Sequence, residues 1–215
     1  MAVTDITHLF IDENKALARE FNLEDKYTML SKSGIKDHHI KKHFKKLAGY
    51  PVDFIANIVD KEEPYNGSEE TIDILHQAGY SVFGITDNLL LSVPEIKTVI
   101  KEKLPFDEIY ATSVAEVNDG KFNGTIRKYK SKPNILNELV RKYKPEIVFG
   151  IVQGKNDLKF GHGIKNVADV YEKCDGYLFT VNSDCAELKG ISDFHIERIE
   201  YAPKILPKLL KEINY

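Results

Sequence analysis

Apolar and polar positions alternate in blocks along most of this chain. Ser68 to Ala78 (SEETIDILHQA) carries apolar residues at helical spacing, with Ser68 as N-cap, two glutamates in the first turn and Gly79 at the end. YSVFGIT follows, a short β-rich run of the fully buried kind. PEIKTVIKEKL predicts a second helix opened by Pro94, and FDEIYAT predicts a strand. Asp119-Gly120 marks a turn before FNGTI, a short extended piece. KPNILNELVRKY reads as a helix, EIVFGIV as a strand, IKNVADVYEKC as a helix, GYLFTV as a strand and APKILPKLLKEI as a terminal helix. GHG at 161–163 reads as a turn. This alternation predicts an α/β fold, a Rossmann-like parallel sheet with helices on both faces. Ligands of such sheets sit at the carboxyl ends of the strands. Five places follow: Asp5 to His8, Thr86 to Asn88, Tyr129 to Lys132, Gln153 to Asp157, and Thr180 to Asp184.

From Lys15 to Pro64 the alternation stops. NKALAREFNL, DKYTMLSK, DHHIKKHFKKLAG and VDFIANIVDK all read as helices, with no convincing strand between them. An all-helical insertion after the first strand of an α/β core has the character of a lid. The expected division is a core of residues 1–14 and 65–215 and a helical cap of residues 15–64.

The chain's 215 residues suit one such domain with its insertion, and 42% hydrophobic residues supply a core. A net charge of −3 gives no global reason to expect nucleic acid as a partner. No apolar run approaches the roughly 18 residues of a membrane span, and no basic-then-apolar leader opens the chain. Cys174 and Cys185 alone imply no disulfide framework, so the expected location is cytoplasmic.

Several strand ends carry candidate chemistry. Thr86, Asp87 and Asn88 end a buried strand, where a hydroxyl and backbone N–H groups suit a phosphate oxygen; the same three residues equally suit a helix cap. Lys132 precedes a helix at a sheet mouth, placed to neutralise a phosphate or a charged nucleophile, or else to lie on the surface. Gln153-Gly154 ends an apolar strand ahead of Asn156 and Asp157. The Gly154-Lys155 pair is no Walker loop, because Phe149 stands where its first glycine belongs. His39 and His43 share a helical face as metal ligands do, but five lysines surround them and read instead as a basic, solvated face able to attract an anion.

In order and spacing, the pieces resemble the haloacid dehalogenase-like superfamily, most closely its phosphoserine phosphatase-like branch. DITHLFIDEN stands at that family's Asp-x-Asp-x-Thr motif. YNGSEETIDILHQAGYSVFGITDN matches its helix, strand and second motif, and FDEIYATSVAEVNDGKFNGTI its following segment with a hairpin. KPNILNEL carries its lysine, Lys132 or alternatively Lys130, and VQGKNDLKF aligns with its Gly-Asp-Gly-x-Asn-Asp loop. The resemblance implies that Asp5 attacks phosphorus to form an aspartyl-phosphate, that Thr86, Asp87, Asn88 and Lys132 hold the phosphoryl group, and that Mg2+ lies among Asp5, the Thr7 carbonyl, Gln153 and Asp157. A register shifted by one would set Thr4 in the nucleophile's place.

The chain also departs from the pattern. Thr7 replaces the family's second aspartate, and a threonine cannot move a proton at neutral pH, a role worth about 10²–10⁴ in rate. Leu9 replaces the motif's threonine. Gln153 replaces a metal-binding aspartate, and a neutral amide is the poorer magnesium ligand. No arginine lies between Arg19 and Arg127, where the family's cap arginine holds a substrate carboxylate. Two functions follow: a phosphatase-like hydrolase of a small phosphorylated metabolite with weak or altered activity, or an inactive homologue that binds phosphate or a ligand as a regulator.

Overall fold

Six short strands, nearly all apolar, lie side by side in one parallel sheet. They are β1 (Ala2–Thr4), β2 (Val82–Thr86), β3 (Glu108–Ala111), β6 (Ile147–Val152), β7 (Asp175–Val181) and β8 (Phe194–Ile196), ordered β3-β2-β1-β6-β7-β8. The other two, β4 (Ser113–Asn118) and β5 (Lys121–Lys128), form a separate antiparallel ribbon. In this computed structural model the described residues are 1–6, 9–21 and 45–213. β1 is short but central, with Val3 opposite both Phe83 of β2 and Gly150 of β6. Residues 148–152 of β6 are all buried, which is why that strand reads as an unbroken apolar run.

Eight α-helices complete the described layers: α1 (Glu13–Glu20), α2 (Val52–Asp60), α3 (Ser68–Gln77), α4 (Pro94–Lys103), α5 (Lys132–Tyr143), α6 (Leu158–Lys165), α7 (Ala186–Ile191) and α8 (Ala202–Ile213). On one face, Leu136 and Leu139 of α5, Phe160 and Ile164 of α6 and Leu188 of α7 pack with Val3, Phe83, Ile85 and Leu178. On the other, Leu75 of α3, Ile96 of α4 and Leu206 of α8 close over Phe149 and Phe179. Each such side chain contributes about 1.5–3 kcal/mol on burial. The predicted α/β sheet with helices on both faces is therefore the observed fold.

Two glycines let layers approach closely. A Cβ on Gly84 would collide with the Ile6 side chain, and one on Gly150 with Ile164. Gly84 thus seats Ile6, the residue after Asp5.

The described part of the insertion does not stand apart. Leu47, Val52 and Ile55 share the sheet's own hydrophobic cluster. Arg19 of α1 pairs with Glu62 beyond α2, at 3.1 Å. The ribbon joins them: Gly49 N–H donates to the Phe122 carbonyl (2.8 Å) and Phe122 N–H to the Tyr50 carbonyl (3.1 Å). Asp119 and Gly120 turn the ribbon with positive φ of 49° and 70°. His39 and His43 lie outside the described residues.

Some elements differ from expectation. The N-cap of α3 is Gly67, while the Ser68 hydroxyl donates to the buried Phe10 carbonyl at 3.0 Å, a partner 58 residues away that local pattern does not reveal. GHG lies inside α6, not in a turn. Its Gly161 is there for packing, since a Cβ would come within 2.7 Å of Leu188. IKNVADVYEKC is not one helix: α6 ends at Lys165, Asn166 caps it, and Val167–Asp169 is a 3-10 turn. Strand β4, helix α7 and strand β8 lacked a distinct periodic signal.

Candidate active site

The mouths of β1, β2 and β6 and the start of α5 converge on one buried ammonium. Lys132 is the first residue of α5, behind the Ser131 cap, and is 5% exposed. Its Nζ lies 2.6 Å from Asp157 Oδ1, 3.1 Å from Asp5 Oδ1 and 3.4 Å from Asp87 Oδ2. The Phe160 ring lies beneath it, with its centroid 5.9 Å away. Lys130, the alternative lysine, instead pairs with Glu138 at 2.7 Å on the exposed side of the chain.

Asp5 follows β1 directly. Its N–H donates to the Ile151 carbonyl (3.2 Å), which extends the sheet pairing by one residue. Its Oδ1 accepts the Ile6 N–H at 2.9 Å. Thr4 stays within the strand, buried, and its hydroxyl donates to the Asp5 carbonyl at 2.7 Å. Asp5 is thus the residue of the pair that meets Lys132. Burial pushes its carboxyl up to about 7; Lys132 pulls against this, and Asp157 and Asp87 add repulsion. Burial works against the charge on Lys132, but the carboxylates of Asp157, Asp5 and Asp87 outweigh it and hold the ammonium's pKa above its ordinary value.

Asp157 closes the floor, 2% exposed, in the 3-10 turn Lys155–Asp157 after β6. Both its oxygens are engaged, one by Lys132 and the other by the Gln153 N–H at 3.3 Å. Thr86 is fully buried at the end of β2, and its hydroxyl accepts the Asn88 N–H at 3.1 Å. Asn88 Oδ1 accepts the Leu90 N–H at 2.9 Å and so caps the 3-10 turn Leu89–Ser92. The capping role of this segment is therefore present, and Asp87 reaches the lysine. Thr7 lies outside the described residues.

One contributor carries no signal in the sequence. The Thr112 hydroxyl donates to Asp87 Oδ1 at 2.7 Å. Its carbonyl accepts the N–H groups of Tyr129 and Lys130, each at 3.0 Å. Thr112 lies between β3 and the ribbon, 25 residues from Asp87, so only the fold brings them together.

The donor set suits a divalent cation only loosely. Among the described residues no group of three His, Cys, Asp or Glu is placed to hold a metal ion. Asp5 offers one carboxylate and Gln153 a neutral amide, while Asp157 is turned to Lys132. Mg2+ often makes do with one or two carboxylates when water and substrate phosphate complete its shell. The residues fit a weakly held ion of that kind and no tighter one. Beside Gln153 opens a cavity of about 450 Å3, lined also by Leu9, Tyr65, Asn66, Asn182 and Arg198. No described helix is long and apolar enough to cross a membrane.

No family model matches the chain. Two curated relatives do. The phosphoserine phosphatase of Methanocaldococcus jannaschii is 28% identical over 137 residues, 61% of each chain. That of Archaeoglobus fulgidus is 25% identical over 158 residues, 68% of this chain and 44% of the relative. The matches thus span less than two thirds of both relatives. Among solved structures, a phospho-aspartyl intermediate analogue of phosphoserine phosphatase superposes with a TM-score of 0.73 at 22% identity, covering 98% of this chain and 97% of that one. A haloacid dehalogenase family hydrolase from Salmonella enterica serovar Typhi gives 0.71 at 15% identity, over 91% and 66%. These structures speak to the fold. In its fold, in the order of its loops and in its sequence relatives, the chain is similar to phosphoserine phosphatases of the haloacid dehalogenase-like superfamily.

Proposed function

We propose that this protein accepts a phosphoryl group from a small phosphorylated metabolite onto Asp5 and releases it slowly, as an attenuated phosphatase of the cytoplasm. The observation that carries this reading is the contact of Asp5 with the buried Lys132, backed by Asp157, at the mouth of the central strand. A carboxylate there is oriented by the Ile6 N–H and Lys132 through Oδ1, which leaves Oδ2 to attack phosphorus. As the new Asp5 O–P bond forms, the ester P–O bond breaks and the alcohol leaves. Lys132 stays charged throughout and offsets charge on the phosphoryl oxygens. Asp157 holds the lysine rather than a metal. Thr86 lies beside the same mouth, and the insertion is proposed as its cap.

Asp5 and Gln153 would hold Mg2+, with the Thr7 carbonyl as its backbone ligand. When bound, the ion supplies positive charge for the phosphoryl oxygens. The slow rate follows from Gln153 and from Thr7, which cannot move a proton at neutral pH.

Phosphoryl transfer is tested by incubating the protein with p-nitrophenyl phosphate and magnesium and weighing the intact chain. A phosphoryl adduct in the parent and none in Asp5→Asn supports it. No adduct in either protein would sink it in favour of ligand binding without turnover, the reading that the neutral Gln153 favours.

A further inference from the structure

Transfer of a phosphoryl group from an alkyl ester needs a proton for the departing alkoxide, and Thr7 cannot supply one. The site holds a carboxylate at another position. Asp87 Oδ2 lies 3.4 Å from the same Lys132 Nζ that Asp5 Oδ1 meets at 3.1 Å. Resting on the phosphoryl-transfer reading above, we propose that Asp87 is the proton donor to the leaving group and the base for the attacking water.

Asp87 and Asp157 both touch Lys132, but their surroundings differ. The Asp157 side chain is 3% exposed, whereas the Asp87 side chain is 54% exposed and open to solvent. Thr112 fixes Asp87 through Oδ1, which turns Oδ2 toward the lysine and the Asp5 side of the pocket. Thr112 is itself held by the backbone of Tyr129 and Lys130, so its hydroxyl is a rigid support. Among the described residues no other carboxylate lies within ion-pair distance of Lys132 besides Asp5 and Asp157.

The proton balance closes. The Asp87 O–H proton passes to the ester oxygen as the P–O bond breaks and the alcohol leaves. The resulting carboxylate then takes a proton from water while that water attacks the aspartyl-phosphate. The Asp5 O–P bond breaks, inorganic phosphate leaves, and Asp87 is protonated again.

The test compares single-turnover phosphorylation of Asp5 by two donors in the full chain with magnesium. p-Nitrophenyl phosphate loses a stable phenolate and needs no proton; glycerol phosphate loses an alkoxide and does. Asp87→Asn should slow phosphorylation by glycerol phosphate about 10²–10⁴-fold and by the aryl ester less than about tenfold. Thr112→Val should show the same selectivity, more weakly. Equal losses on both donors, no loss on either, or a parent protein phosphorylated only by the aryl ester would each overturn Asp87 while leaving phosphoryl transfer standing. A parent that forms no adduct even from the aryl ester overturns both.

Discussion

Replacing Asp5 with Asn should stabilise the protein at alkaline pH, although it removes the proposed nucleophile. Asn keeps the shape of the side chain and still accepts the Ile6 N–H, but it cannot ionise. In the folded protein the Asp5 carboxyl rises from an ordinary 3.8 to about 7, chiefly through burial. The folded state therefore keeps this proton to higher pH than the unfolded chain. Between about pH 4 and pH 7 it binds more protons than the unfolded state, so stability falls as pH rises through that window. Below about pH 4 both states are protonated and nothing is lost. A rise of roughly three pH units corresponds to about 4 kcal/mol at full ionisation. For a chain of this size that is roughly 8–16 °C in Tm. Thermal unfolding followed by circular dichroism, with EDTA present throughout, should show the variant's advantage grow from near zero at about pH 4 to its maximum at about pH 8. A variant that melts below the parent at the alkaline end, or by a constant difference at every pH, would refute the view that burial dominates Asp5.

Other substitutions probe other parts of the site. Lys132→Met leaves three carboxylates facing each other without their counter-ion and should cost about 3–5 kcal/mol in urea unfolding at neutral pH, with partial recovery as acid protonates them. Gly84→Ala drives a methyl into Ile6 and should cost about 1–3 kcal/mol while slowing phosphorylation of Asp5, read by mass spectrometry; an unchanged rate would separate Ile6 from the nucleophile's placement. Gln153→Asp adds a second carboxylate for Mg2+ and should tighten its binding at least about tenfold, about 1.4 kcal/mol by calorimetry. Equal affinity in the two proteins would mean that the amide is not what weakens the metal site.

The fold was legible because its strands are buried on both faces and its helices carry one apolar stripe each. EIVFGIV and KPNILNELVRKY state their structure within a single short window. The elements that escaped lack such a window. The helix through GHG is set by the packing of Gly161 on Leu188, against the helix propensity of glycine. Ser68 reads as a cap because local pattern cannot show that its hydroxyl is needed by the Phe10 carbonyl. In both cases a partner distant in sequence overrides a local preference.

Within the site, positions were legible but their division of labour was not. Asp5, Asp87, Lys132 and Asp157 each stand at a strand mouth or helix start, so topology alone brings them near one another. Which carboxylate does what depends on hydrogen bonds through space. Asp157 reads in sequence as a cation ligand, yet it lies at 2.6 Å from Lys132 and also accepts from Gln153, which suits it to hold the ammonium. Asp87 reads as part of a phosphate loop, yet Thr112, itself held by Tyr129 and Lys130 just beyond the ribbon, turns it toward the lysine. Three carboxylates around one ammonium leave excess negative charge, and burial of Asp5 is the structure's response to it, since a carboxyl that holds its proton to about 7 reduces that excess. The same response works against attack on phosphorus, because the nucleophile must first ionise. Phosphorylation of Asp5 should therefore accelerate from about pH 6 to about pH 8. A rate that falls over that interval would show that ionisation of Asp5 does not limit the reaction.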